Sequence, residues 1–279
     1  MTEAPPILPA DKARHVTGLN SAIPKIIHQT YHSKHLPGPL QDAVDTAIRL
    51  NPNWEHRLYD DADIVNFIAQ HYDERVMRCY TMINPKYGAA RADLFRYLLL
   101  HKIGGIYIDI KAVCLKSFDD VLRSDDRFVL AQWQNTADGE HSGWGTWPEL
   151  TDVAGGEYQQ WHIIAAPGHP FLKAVIDRVL TNIETYRPWR DGVRRHGVVR
   201  LTGPIAYTRA IRPIIAQHPH RFAASATDVG LRYRAAPEHE QLFMHHYANI
   251  KESIVTMRGI AKPISYAYLC FVKTFNVRT

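Results

Sequence analysis

Apolar positions recur along this chain in short blocks that switch between a two-residue and a helical period. Lys25-Ile-Ile-His-Gln29 reads as a short buried strand, and Leu40–Leu50 reads as a helix with Val44 and Ile48 on its apolar side. Trp54–Tyr59 is a second predicted strand. Asp60-Asp-Ala-Asp63 then opens a helix over Ile64–His71, where acidic side chains suit the positive end of the helix. Helical spacing continues from Asp73 to Met82, and Pro85 introduces a longer helix. Further strands are expected at Ile106–Ile110, Phe128–Gln132, Gln160–Ala165 and Phe243–Tyr247, with helices at Pro170–Tyr186 and Pro204–Ile215. Residues 135–157 hold five glycines, Trp144 and Trp147 without periodicity, which predicts a long functional loop. Strands alternating with helices imply an α/β fold with a mainly parallel sheet.

The segment from Gly88 to Asp109 carries the most chemistry. It predicts a helix bearing Asp93 and Arg96, a Gly104-Gly105 turn and a short apolar strand ending on Asp109. Residues three apart on a helix share a face, so the acid and the guanidinium act from one side. A strand that delivers a carboxylate at its carboxyl end is a common way to present an acid to a phosphate, a sugar or a metal in α/β enzymes. No dinucleotide fingerprint, P-loop or nucleophile elbow is present, so dehydrogenase, NTPase and hydrolase readings lack a motif.

These residues resemble the DxD sugar-binding region of glycosyltransferase family 32 and, more distantly, the glucosyltransferase domain of the large clostridial toxins. Ile23–Tyr31, Asn51–Asp60, Trp161–Pro170, Thr202-Gly-Pro204 and Phe243–Tyr247 resemble further blocks of that family in order. The resemblance implies a GT-A-like, Rossmann-type nucleotide-sugar fold over residues 23–250. It also implies transfer of a hexose from a nucleotide sugar to a glycan, with retention, in surface polysaccharide synthesis. On that basis Asp93 and Arg96 hold the donor sugar, and Asp109 is the first DxD acid, touching ribose, sugar or metal. Gln29, Thr30, Tyr31, Arg91 and Tyr107 complete the nucleotide-sugar site. His246, with His245, meets the diphosphate or a metal. Apart from the resemblance, Gln160 and Trp161 precede the Ile163-Ile-Ala-Ala stretch, a place beneath the acceptor or beside the anomeric carbon.

One departure matters. Lys111 stands where the family places its second acid. An ammonium does not ligate a metal, so Lys111 either replaces the charge of a Mn2+ or Mg2+ ion at the diphosphate, turns aside while other groups hold the metal, or is a plain surface lysine. A non-catalytic sugar-nucleotide or glycan-binding module, and a toxin-like protein glycosyltransferase, stay open as alternatives.

Composition adds little to the class but bears on location. The chain has 279 residues, 46% hydrophobic and 22% charged, as in an ordinary globular protein. Cys79, Cys114 and Cys270 show no CxxC spacing, which favours a reducing compartment. Residues 1–22 are polar and proline-rich and read as a loose tail without a signal peptide. A cytoplasmic enzyme is expected. Residues 251–279 hold five basic residues against Glu252 alone, among many apolar side chains, and are expected either to dock on the core or to touch an anionic membrane, where a lipid-linked acceptor would lie. No basic-aromatic stripe suits nucleic acid.

Overall fold

The computed structural model describes residues 23–233, 250, 252–257 and 261–275. The expected strand at Phe243–Tyr247, with His245 and His246, and the expected tail over residues 1–22 lie outside the described residues.

A six-stranded sheet organises the molecule, in the order β2-β1-β3-β6-β5-β7. Its strands are β1 (Ile26–Thr30), β2 (Glu55–Tyr59), β3 (Gly105–Ile108), β5 (Phe128–Ala131), β6 (His162–Ala165) and β7 (Arg221–Ala223). The pairs β1–β2, β1–β3 and β5–β7 are parallel, whereas β6 runs against both β3 and β5. The mainly parallel sheet is therefore as expected, with one reversed strand in its middle. A separate two-stranded ribbon pairs β4 (Val113–Cys114) with β8 (Leu231–Arg232).

Helices cover both faces. They are α1 (Gly38–Leu50), α2 (Asp61–His71), α3 (Glu74–Met82), α4 (Gly88–Ile103), α5 (Phe118–Val121), α6 (Pro170–Thr185), α7 (Pro188–Asp191), α8 (Arg194–Leu201) and α9 (Pro204–Ile211), and lastly α10 (Ala261–Phe275). The acidic start of α2 closes a capping box: Asp60 accepts from the amides of Ala62 and Asp63, and Asp63 accepts from the amide of Asp60. The predicted Pro204–Ile215 helix is α-helical only to Ile211 and tightens to a 3-10 turn over Arg212–Gln217, where Pro213 removes an amide donor.

α4 is the central helix. Leu94, Phe95, Leu98, Leu99 and Leu100 are fully buried and lie on several sides of it, so it packs all round rather than along one stripe. It ends at Gly104 (φ 74°), and Gly105 (φ 103°) starts β3. A Cβ on Gly105 would meet the carbonyl oxygen of Ile26 at 2.7 Å, and one on Gly104 would meet Pro167 at 2.6 Å. Only glycine allows the helix to turn into the strand this closely. Ile254 and Val255 are buried against the α4 side of the core, and α10 packs on α7 while leaving Ile264 and Tyr266 exposed. Among the described residues no helix is long and apolar enough to cross a membrane.

Candidate functional site

The site lies at the carboxyl ends of β1 and β3, the crevice where open α/β sheets hold ligands. In the β1–β3 register His28 faces Tyr107, and continuing that register sets Thr30 level with Asp109. Thr30 Oγ1 lies 2.9 Å from the hydroxyl of Tyr107, and the Tyr107 ring carries the Arg96 guanidinium 4.5 Å above its centroid.

Arg96 is the hub. Its Nη2 lies 3.2 Å from Asp93 Oδ1 and 3.0 Å from Asp109 Oδ1, and its Nη1 donates to the carbonyl of Gln160 at 2.7 Å. Asp93 and Arg96 are buried, while the Asp109 side chain keeps 20% of its exposure. The pair thus forms a buried floor and Asp109 its exposed edge. Thr202 donates to Asp93 Oδ2 at 2.9 Å and the Gln160 amide donates to Oδ1 at 3.2 Å. Tyr97 donates to the Thr202 carbonyl at 2.9 Å, tying α8 to α4. Burial raises the Asp93 pKa, and Arg96 and Thr202 pull it back. Burial also works against the Arg96 charge, but Asp109, Tyr107 and Asp93 more than offset it, so its pKa rises and the guanidinium stays charged.

Other expected site residues divide. Thr30, Tyr107 and Gln160 join the cluster, Gln160 bracing Asp93 with its amide and Arg96 with its carbonyl. Gln29 does not join it. Neighbouring strand residues face opposite ways, and its buried amide oxygen accepts from His56 Nε2 at 2.8 Å. Arg91 also points elsewhere. Two positions along a helix rotate a side chain by about 200°, so Arg91 and Asp93 lie on opposite sides. Its guanidinium donates to the Ile83 carbonyl at 3.2 Å and sits over the Tyr80 ring. Tyr31 packs against His32 with ring centroids 4.1 Å apart, just past the end of β1. Trp161 is adjacent, since its carbonyl accepts the Asp109 amide at 2.8 Å.

Lys111 reaches the site from a turn, because the strand expected over Ile106–Ile110 stops two residues earlier. The strand ends at Ile108, and residues 109–112 form a turn closed by the Ala112 amide on the Asp109 carbonyl at 2.8 Å. The Lys111 ammonium nevertheless stands 4.0 Å from Asp109 Oδ2 and 4.7 Å from the centroid of the Tyr233 ring. For a divalent ion this donor set fits poorly. Its exposed carboxylate is already shared with Arg96 and faces an ammonium, and among the described residues no three His, Cys, Asp or Glu side chains converge.

Sequence reasoning passed over Thr202 and Tyr97. Tyr97 stands one turn after Asp93 on the same side of α4, whereas Thr202 meets Asp93 only through long-range packing.

Residues 37–129 match the family described as the glycosyltransferase sugar-binding region containing a DXD motif. Inositol phosphoceramide mannosyltransferase 3 of Schizosaccharomyces pombe is 36% identical over 103 residues, covering 37% of this chain and 28% of that protein. Inositol phosphoceramide mannosyltransferase 2 of the same yeast is 28% identical over 201 residues, 72% of this chain and 49% of the relative. The chain spans about half or less of the length of these curated relatives. Among solved structures, the ligand-free glycosyltransferase domain of the YGT toxin superposes with a TM-score of 0.50 at 10% identity, over 90% of each chain, which speaks for the GT-A-like fold alone. The stretch that contains Asp93, Arg96, Asp109 and Lys111 is therefore similar to a glycosyltransferase sugar-binding region of the DXD type, and it carries a lysine two residues after Asp109.

Proposed function

We propose that the chain is a glycosyltransferase that moves a hexose, with mannose the first candidate, from a nucleotide-sugar donor to a glycan acceptor with retention of anomeric configuration. The observation that carries this reading is the Asp93–Arg96–Asp109 cradle at the sheet's carboxyl edge, with Thr30 and Tyr107 beside it. Carboxylates and a guanidinium held in fixed positions suit the hydroxyls of a sugar. Asp93 and Arg96 orient the donor sugar through this edge, Asp109 contacts the sugar or ribose, and Lys111 meets the charge that builds on the leaving diphosphate. The anomeric carbon–oxygen bond to the diphosphate breaks as the acceptor oxygen bonds the same carbon from the same face. The acceptor's hydroxyl proton passes to a diphosphate oxygen.

Both relatives are inositol phosphoceramide mannosyltransferases by name, which supports mannose and an acceptor borne on a lipid. A cytoplasmic enzyme working at the inner membrane face on a lipid-linked polysaccharide intermediate accords with α10, where Ile264 and Tyr266 are exposed on a helix that carries no acidic residue.

The test is a panel of GDP- and UDP-hexoses incubated with the full chain and read by mass spectrometry for released nucleoside diphosphate. One donor should be consumed, and Asp109→Ala should slow that consumption by about 100-fold or more with an unchanged melting temperature. Binding of donors without any consumption would replace the enzyme with a binding module.

A further inference from the structure

The sheet order puts β1 on one flank of Asp109 and β6 on the other. The donor-side groups Thr30 and Tyr107 come from β1 and β3. On the opposite flank stands an aromatic wall that this chemistry leaves unused. Trp161, at the start of β6, packs on Trp133, just past β5, with centroids 6.4 Å apart and planes 26° from parallel. Tyr233 lies 5.2 Å from each of them, and Trp144 packs edge-on to Trp133 at 5.1 Å. The Lys111 ammonium over Tyr233 joins this wall to the mouth of the site.

The wall is held in place. Trp133 Nε1 donates to the buried carboxylate of Glu157 at 2.7 Å, and Trp147 Nε1 donates to its other oxygen. Asn135 donates to the carbonyls of Trp144 and Gly155 at 2.8 and 3.0 Å, which ties the two ends of the 135–157 loop together. Two features then point outward to a ligand. Trp144 keeps 40% of its surface exposed on this otherwise anchored loop. Trp161 Nε1 is buried and makes no hydrogen bond among the described residues, although the Trp161 carbonyl accepts the Asp109 amide. A buried N–H left without a partner is costly, and a ligand oxygen would remove that cost.

We infer that this wall is the acceptor subsite, taking the apolar C–H face of a second sugar ring against Trp144 and Tyr233 with a hydroxyl on Trp161 Nε1. A pyranose ring offers an apolar face and a polar rim, which a half-exposed indole beside a cluster of aromatic rings and an unpartnered N–H matches. The assignment rests on the transferase reading above, since the donor sugar there occupies the Asp93–Arg96 side.

Ligand-observed saturation-transfer NMR with mannobiose, maltose and lactose tests it on wild type, Trp144→Ala and Trp144→Phe. At least one disaccharide should show contacts to its ring C–H protons in wild type. Those contacts should fall at least about fivefold in Trp144→Ala and largely return in Trp144→Phe, by the stacking argument. Acceptor-free donor hydrolysis should stay within about twofold across the three proteins, since the cradle is untouched. Absence of disaccharide contact in wild type, or equal contact in Trp144→Ala, overturns the subsite even when donor is consumed. Contact at the wall with no donor consumed overturns the transferase reading instead and leaves a glycan site.

Discussion

Arg96 Nη2 and Asp109 Oδ1, 3.0 Å apart, join the middle of a buried helix to the tip of a strand. The same nitrogen is 3.2 Å from Asp93, so one guanidinium balances two carboxylates in a region largely closed to water. Removing it strands a buried charge. Arg96→Ala should therefore lower the unfolding free energy by about 3–5 kcal/mol, as for other broken buried pairs. Adding Asp93→Asn to that variant should recover part of the loss, because the orphaned carboxylate goes too. Urea midpoints of the two variants decide this; an Arg96→Ala midpoint equal to that of wild type would remove Arg96 from the hub. Arg96→Lys is not a conservative change here, since one ammonium cannot serve both acids and the Gln160 carbonyl.

Lys111 separates two ways of handling diphosphate charge. With an ammonium 4.0 Å from the exposed acid, donor turnover should survive an excess of chelator, and Lys111→Ala should reduce it by about 10- to 100-fold. Turnover that chelator abolishes, with Lys111→Ala close to wild type, would assign the charge to a metal held by other residues.

Acid sensitivity follows from buried imidazoles. Burial pushes His28 down to about 4, even though its contact with the Gly104 carbonyl pulls upward. His162 is pushed down to about 3 by burial. A carbonyl only accepts, so neutral His28 donates from Nε2 to Gly104 and accepts the Tyr59 hydroxyl at Nδ1. Between the unfolded value of 6.5 and the folded value, the unfolded chain binds the extra proton, so stability is fully present above that window and falls as pH drops through it. His28 alone contributes up to about 3 kcal/mol across the window by linkage. Asp93, raised by burial, works in the opposite sense where carboxylates titrate. Urea midpoints taken in steps from about pH 7.5 to 5 should decline, with a shallower slope in His28→Gln. A flat profile in wild type would contradict the burial of these rings as neutral groups.

Legibility in the sequence tracked the range of the interactions. The helix bearing Asp93 and Arg96, the glycine turn and the acid at the strand tip depend on neighbours within about one or two turns of chain, and their periodicity shows. Arg91 lies opposite Asp93, as the helical rotation between them requires. α8 leaves no periodic signal, because Arg194–Leu201 is too polar to show an apolar stripe and its burial is decided by packing on α9 and α4. Thr202 is not tied to Asp93 or Tyr97 by spacing, since its bonds to them span 109 and 105 positions.

The paired glycines at 104 and 105 act as a phase lock. Side chains along a strand alternate sides, so lengthening this junction by a single residue would bring Ile108 or Ile110 to the mouth and swing the carboxylate away from its guanidinium. Because neither glycine has room for even a methyl group, the junction offers chemistry and geometry no independent adjustment. Loops elsewhere can drift in length while leaving the cradle aligned; here the spacing between helix and strand is itself part of the reagent.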